Sequence, residues 1–229
     1  MEAIVLAGGL GTRLRAIVPD VPKPMASVAG RPFLEILLES LARKGFDRVI
    51  LSIGFMAEKI SSHFGNSYAG MRIEYSIEDT PLGTGGAVRL ALTKAAEDHV
   101  FVFNGDTYLD LDVSAVETLW NENHLPVVVA REVHDTARYG RLSAIDGWVK
   151  EFAEKAVVGA GLINAGCYVF RANQLDEFSP GTIFSLEADY LAKRICVDPF
   201  IAYVCTGLFI DIGVPDDFKA AQTLLAEFV

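Results

Sequence analysis

The first half of the chain alternates short apolar runs with amphipathic stretches. Residues 3–7 are apolar throughout and rich in β-formers, which predicts a strand buried on both faces. Phe33, Leu34, Leu37, Leu38 and Leu41 recur three and four residues apart. That spacing puts them on one helical face, with Gly45 placed to end the helix. The same logic predicts strands at 48–53, 71–77, 100–103 and 127–130, and helices at 57–64, 85–95 and 113–123. Apolar strands separated by helices predict an α/β fold, a doubly wound, mostly parallel mixed sheet flanked by helices. Beyond about residue 131 the segments shorten. Strands are expected at 140–145, 148–152, 163–170, 200–205 and 208–212, packed on the same sheet. Helices are expected at 186–195 and at 215–228, where Pro215 suits the first turn.

The loop after the first strand changes this picture from architecture to chemistry. Leu6-Ala7 leads into Gly8-Gly9-Leu10-Gly11-Thr12-Arg13. Glycines let bare backbone N–H groups approach a ligand, and a curl of such amides cradles anions. Arg13 adds a planar, permanently charged fork, and Lys23, between Pro22 and Pro24, adds a second cation on a stiffened backbone. Together they suit a polyphosphate. Leu14 stands where a dinucleotide-binding loop needs its third glycine, and no G-x-x-x-x-G-K-[ST] segment exists. In a doubly wound sheet ligands bind outside the carboxyl ends of the strands. The glycine loop, Asp79-Thr80-Pro81 and Asn104-Gly105-Asp106 all follow apolar strands and are expected to converge there.

Composition removes other classes. The chain of 229 residues is 51% hydrophobic, enough for one large core. A net charge of −10 opposes nonspecific nucleic-acid binding, so no nucleic-acid partner is expected. Cys167, Cys196 and Cys205 lack C-x-x-C spacing and are expected as buried, reduced thiols. No signal peptide or bilayer-spanning run is visible, so no membrane association and a cytoplasmic location are expected. His63, His99, His124 and His134 are scattered and are expected at the surface or at helix caps. No G-x-S-x-G elbow is present.

Two aspartates are candidates for a hard cation. Asp106 sits on a glycine turn at a strand end, where it suits Mg²⁺ or, alternatively, a plain turn or cap. Asp211 lies inside an apolar run, where an unpaired charge would be costly. It is either a metal ligand or a buried, paired carboxylate. The segment from Glu78 through Gly83-Thr84-Gly85 is a second glycine-rich element opening a helix. Glu154-Lys155 alone reads as a charged turn, and Glu187 as a first-turn helix acid.

The run Leu6 to Leu14, followed by Pro22-Lys23-Pro24, resembles the signature of the sugar-1-phosphate nucleotidylyltransferases, verbatim at both places. The resemblance extends over essentially the whole chain. It implies a Rossmann-like nucleotidyltransferase fold in a single domain, 1–229, with no C-terminal β-helix. Residues 1–130 would form a nucleotide-binding half and 131–229 a sugar-binding half. It implies that Leu6, Ala7, Gly8, Gly9, Gly11, Thr12, Glu78, Gly83, Thr84 and Gly85 bind the nucleotide. Arg13, Lys23 and Asp106 would be catalytic, with Asp106 and Asp211 holding Mg²⁺. Tyr139, Gly140, Glu154, Lys155, Asn164 and Glu187 would bind the sugar phosphate. Within the family the short form implies GTP and D-glycero-α-D-manno-heptose 1-phosphate as substrates, toward capsule, S-layer glycan or lipopolysaccharide. Mannose 1-phosphate with GTP, and muramic acid 1-phosphate with UTP, are the alternatives. Non-catalytic regulatory relatives would be expected to lack Arg13, Lys23 or one aspartate, and all four are present. A homodimer is left open.

Overall fold

The structure, a computed structural model, describes every residue except Leu10, Thr12, Arg13, Arg15, Ala16, 154–157 and Val229, and of Ala153 only the backbone. In the first half lie β1 (Glu2–Leu6), β2 (Ser27–Val28), β3 (Arg31–Pro32), β4 (Arg48–Ile53), β5 (Ser67–Tyr68) and β6 (Met71–Ile77). There follow β7 (His99–Asn104), β8 (Thr107–Leu109), β9 (Val127–Val133), β10 (Arg141–Ile145) and β11 (Trp148–Ala153). The last are β12 (Gly161–Arg171), β13 (Ile201–Cys205) and β14 (Phe209–Asp211). The helices are α1 (Phe33–Arg43), α2 (Ala57–Phe64), α3 (Gly83–Leu92), α4 (Val113–Asn123), α5 (Ala192–Arg194) and α6 (Pro215–Leu224).

One ten-stranded sheet runs in the order β10-β11-β13-β9-β12-β7-β1-β4-β6-β5. β6, β4, β1 and β7 are mutually parallel, and β9 and β13 run the same way. β12 lies antiparallel between β7 and β9, joining both halves of the chain into one hydrogen-bonded surface. Because successive side chains on a strand face opposite sides, each central strand feeds two cores. Ala3 and Val5, Phe101 and Phe103, and Val127 and Val129 pack with α1, α2 and α4. Ile4, Val100, Val102, Val128, Tyr168 and Phe170 pack on the other face with α3 and Leu186–Leu191. A third cluster joins Phe33, Tyr108, Ile210, Ile212 and Ala221 beneath β2 and β3. No helix among the described residues is long and apolar enough to cross a membrane.

Several expectations need correction. The segment expected at 208–212 leaves the main sheet: β14 pairs only with β8, in a separate two-stranded ribbon. The helix expected at 85–95 begins two residues earlier and finishes in tight turns, Thr93 N–H to Leu90 O, Lys94 to Ala91 and Ala95 to Leu92. The helix expected at 186–195 is π-wound over Leu186–Leu191 before continuing as α5, and the last helix ends at Leu224 before a separate turn. Cys196 is exposed, because the short α5 turns its end to solvent. His99 is neither a surface nor a cap residue. Its ring stacks on Trp120 at 4.7 Å and its Nε2 lies 3.0 Å from Glu117, bridging β7 to α4.

Candidate active site

The β8–β14 ribbon brings the two aspartates together. Asp211 is the register partner of Thr107, and Ile212 N–H donates to the Asp106 carbonyl at 3.0 Å. The two acids are therefore neighbours although they lie far apart in sequence. Both point at Lys23. Its Nζ donates to Asp106 Oδ2 and lies 3.7 Å from Asp211 Oδ1. The Lys23 side chain is only 10% exposed, against 34% and 29% for the aspartates. Its backbone is fixed in the one-turn helix Lys23–Met25, with Ala26 N–H bonded to the Lys23 carbonyl at 3.0 Å.

Two close backbone approaches seat this cluster on the sheet. Gly105 N–H donates to the Leu6 carbonyl at 2.9 Å, and a Cβ at Gly105 would lie 2.6 Å from that oxygen. Gly11 has φ +58°, and a Cβ there would lie 2.9 Å from Lys23 Cβ. Glycine is thus required at both ends of the contact between the first loop and the acidic site.

A cavity of about 180 Å³ opens over Lys23 and Asp106, walled by Leu6, Ala7, Gly9, Gly11, Pro24 and Gly213. A neighbouring cavity of about 460 Å³ shares Leu6, Gly9, Gly11 and Asp106 and continues past Gly8, Ser52, Glu78, Gly83, Thr84 and Asn104. Of the segments expected to converge, the glycine loop and the Asn104-Gly105-Asp106 turn meet in these walls, and from Asp79-Thr80-Pro81 it is Pro81 that lines the larger cavity. Glu78 accepts from Leu82 N–H at 2.9 Å, and its second oxygen lies 3.5 Å from the Ser52 hydroxyl. Thr12 and Arg13 lie outside the described residues, so their expected places are not assigned.

The donor set suits a small hard cation that shares its shell with phosphate. Mg²⁺ takes one or two carboxylates and completes its octahedron with water and substrate oxygens. Asp106 and Asp211 supply two such carboxylates beside open space. Among the described residues, no group of three or more His, Cys, Asp or Glu side chains gathers as an all-protein cage.

On the far side, Asn164 and Glu187 meet through a residue that sequence reasoning missed. Asn164 Nδ2 donates to the Tyr168 hydroxyl, which donates to Glu187 Oε1 at 3.4 Å. Tyr168 is wholly buried, and that burial, with Glu187 second, pushes its phenol well above the ordinary value. Glu187 also takes the Thr84 hydroxyl on Oε2 at 2.8 Å, so Thr84 turns toward the expected sugar side. Gly85 N–H bonds the Phe184 carbonyl at 3.0 Å, fixing the 83–86 turn to the same segment. Gly140 O accepts from Asn164 N–H at 3.3 Å, which sets the 139–140 pair beside this network. Tyr139 itself packs edge-on against Phe209 at 6.0 Å, toward the aspartate ribbon. Burial, with Asp217 and Asp211 nearby, raises its phenol too. Glu154 and Lys155 fall outside the described residues. Tyr168 carried no sequence signal, since in an apolar strand it reads as core.

Fold and site together define a nucleotide-handling α/β enzyme, and the chain belongs to the nucleotidyl transferase family, whose model matches residues 2–227. Over 234 aligned residues it is 39% identical to D-glycero-alpha-D-manno-heptose 1-phosphate guanylyltransferase of Aneurinibacillus thermoaerophilus, covering 100% of both chains. The protein of the same description from Campylobacter jejuni is 38% identical, over 95% of this chain and 97% of that one. The crystal structure of HddC from Yersinia pseudotuberculosis complexed with GMP-PN superposes with a TM-score of 0.87 at 36% identity, covering 98% of this chain and 99% of that one.

Proposed function

We propose that this protein transfers the guanylyl group of GTP to D-glycero-α-D-manno-heptose 1-phosphate, releasing pyrophosphate and forming a GDP-heptose for surface polysaccharide synthesis in the cytoplasm. The observation that carries the reading is the junction of Lys23, Asp106 and Asp211 at the end of a glycine-walled cavity. It occurs in a chain similar along its whole length to heptose 1-phosphate guanylyltransferases. Residues 1–130 are taken as the nucleotide-binding half of a single domain and 131–229 as the half that binds the sugar phosphate.

A phosphate oxygen of the sugar phosphate attacks the α-phosphorus in line. The new O–P bond forms as the bond from the α-phosphorus to the bridging oxygen breaks, and that electron pair leaves with pyrophosphate. The attacking phosphate is already anionic, so the protein needs no strong base. Its work is orientation and charge neutralisation. The glycine-loop amides and Arg13 hold the departing phosphates, Lys23 serves the α-phosphate, and Lys155 positions the attacking one. Asp106 and Asp211 would hold Mg²⁺, which supplies charge neutralisation to the phosphates when bound. Glu78 or Asp79 offers acceptors for the N1–H and N2–H₂ donors of guanine, which adenine cannot match. Tyr139, Gly140, Glu154, Asn164 and Glu187 are assigned to binding the sugar phosphate.

The test is competition. Equimolar GTP, ATP, UTP and CTP are offered with the heptose 1-phosphate and, separately, with mannose 1-phosphate, and products are read by mass. GDP-heptose should dominate. A dominant UDP- or CDP-sugar overturns the base assignment, and faster use of mannose 1-phosphate overturns the sugar assignment.

A further inference from the structure

Lys23 is held in a way that contact with a phosphate does not require. Its ammonium touches Asp106 and faces Asp211 at 3.7 Å, on a side chain that is 10% exposed. It lies flush against the turn after β14, where a Cβ on Gly213 would be 3.2 Å from Nζ. The same carboxylate oxygens cannot hold an ammonium this closely and coordinate a divalent cation at once. Two cations competing for one pair of anions exclude each other as directly as two ligands for one pocket. Only the side chain can give way. Pro22, Pro24 and the Ala26-to-Lys23 hydrogen bond pin the backbone, whereas the four-carbon stem has rotatable bonds and itself lines the cavity walled by Gly9 and Gly11.

We infer that Lys23 is a built-in competitor for the divalent cation. Its ammonium offsets one of the two charges of the Asp106–Asp211 pair until nucleotide phosphates draw it away. The metal is therefore taken up with the nucleotide rather than before it. The device works by displacement of the side chain. Taking the ammonium away removes the competing cation from beside Asp106 and Asp211, so their carboxylates should hold a divalent cation more strongly than in the intact protein. Lys23 then has two roles in sequence, counter-ion first and phosphate contact second. The inference rests on the proposed role of the two aspartates in metal binding.

The test reads metal binding, not turnover. Mn²⁺ is titrated into nucleotide-free protein at fixed pH and salt, followed by electron paramagnetic resonance of the free ion. Lys23→Met should bind Mn²⁺ about tenfold or more tightly than the unaltered protein, the scale expected for removing a unit charge a few ångströms away. Lys23→Arg keeps the charge and should stay as weak as the unaltered protein. Lys23→Gln replaces the methionine variant if circular dichroism finds that one misfolded. Equal or weaker Mn²⁺ binding by the charge-free variants, or no binding by any of them, overturns the competitor role. Adding Asp211→Asn to Lys23→Met separates the two ideas. Loss of the tight binding supports both, whereas undiminished binding places the ion elsewhere and sinks the metal assignment itself.

Discussion

Replacing Gly105 by alanine puts one methyl group against the carboxyl end of β1. The new Cβ would sit 2.6 Å from the Leu6 oxygen, 3.1 Å from the Leu6 carbonyl carbon and 3.3 Å from Ala7 Cα. All three neighbours are backbone, so no flexible side chain can move aside. Going from 2.6 Å to the 3.4 Å where ordinary contact begins needs a shift of about 0.8 Å. Such overpacking costs about 1–3 kcal/mol. The Gly105-to-Leu6 hydrogen bond is stretched as well, for roughly 1 kcal/mol, partly offset by about 0.4–1 kcal/mol from a less flexible unfolded chain. At ~2–4 °C per kcal/mol for a chain of this size, Tm should fall by roughly 2–14 °C. Asp106 is the next residue, so its carboxylate moves relative to Asp211. A misplacement of ~1 Å can cost on the order of 100-fold in turnover. The assays are a melting curve and the rate of pyrophosphate release. Gly9→Ala is the control for Tm alone, because a Cβ there meets nothing within 4 Å. A Gly105→Ala protein melting within a degree of the parent and turning over within twofold would refute the seating of the Asp106 turn on β1.

Asp211→Asn keeps the oxygen that accepts from Gly213 N–H but removes the charge, so circular dichroism and Tm should hold while turnover nearly vanishes across a Mg²⁺ titration; a parental rate would remove Asp211 from the site. Tyr168→Phe keeps the ring stacked on Phe170 and deletes the hydroxyl between Asn164 and Glu187, so the sugar-phosphate KM should rise several-fold with the GTP KM unmoved, about 1 kcal/mol for a lost neutral hydrogen bond. A change confined to the GTP KM would contradict that placement. Burial raises the phenols of Tyr139, Tyr168 and Tyr190, so their stabilisation is full below the ordinary value of 10.0 and is lost as pH rises beyond it, where the unfolded chain ionises first. Urea melts from pH 8 to 11.5 should show stability flat and then falling, less steeply in Tyr168→Phe by up to about 1.4 kcal/mol per pH unit; an unchanged slope would refute the attribution to Tyr168.

The central strands were legible because burial on both faces writes an uninterrupted apolar run, as in Val100-Phe101-Val102-Phe103. The glycine loop and the Asp106 turn were legible for a related reason, since anion-cradling backbone needs glycine in the sequence itself. The meeting of Asp106 with Asp211 was legible only through the family resemblance and not from the residues themselves. It depends on a ladder between three-residue strands about a hundred positions apart, and no local pattern reports the partner of so short a strand. Periodicity marked Leu186 to Ile195 as helical but could not register the π-winding, which shifts side-chain phase while keeping the same residues buried. His99 misled because its partners, Glu117 and Trp120, come from the next helix. Thr84 looked like part of a helix-opening loop, and only tertiary contact turns its hydroxyl to Glu187.

The antiparallel strand β12 has a consequence for how the protein can move. By pairing with β7 on one side and β9 on the other, with Cys167 opposite both Phe103 and Val129, it leaves no seam between the residues around the glycine loop and those around Asn164. A molecule made of two lobes could clamp its ligands by swinging about a linker. Here any such swing would have to tear a ladder of backbone hydrogen bonds in the middle of a sheet packed on both faces. Adjustment to ligands is left to side chains and to the loops at the rim. The distance between the two ends of the cleft is then a length set by strand register, and a substrate spanning it would be measured against that ruler rather than enclosed by it.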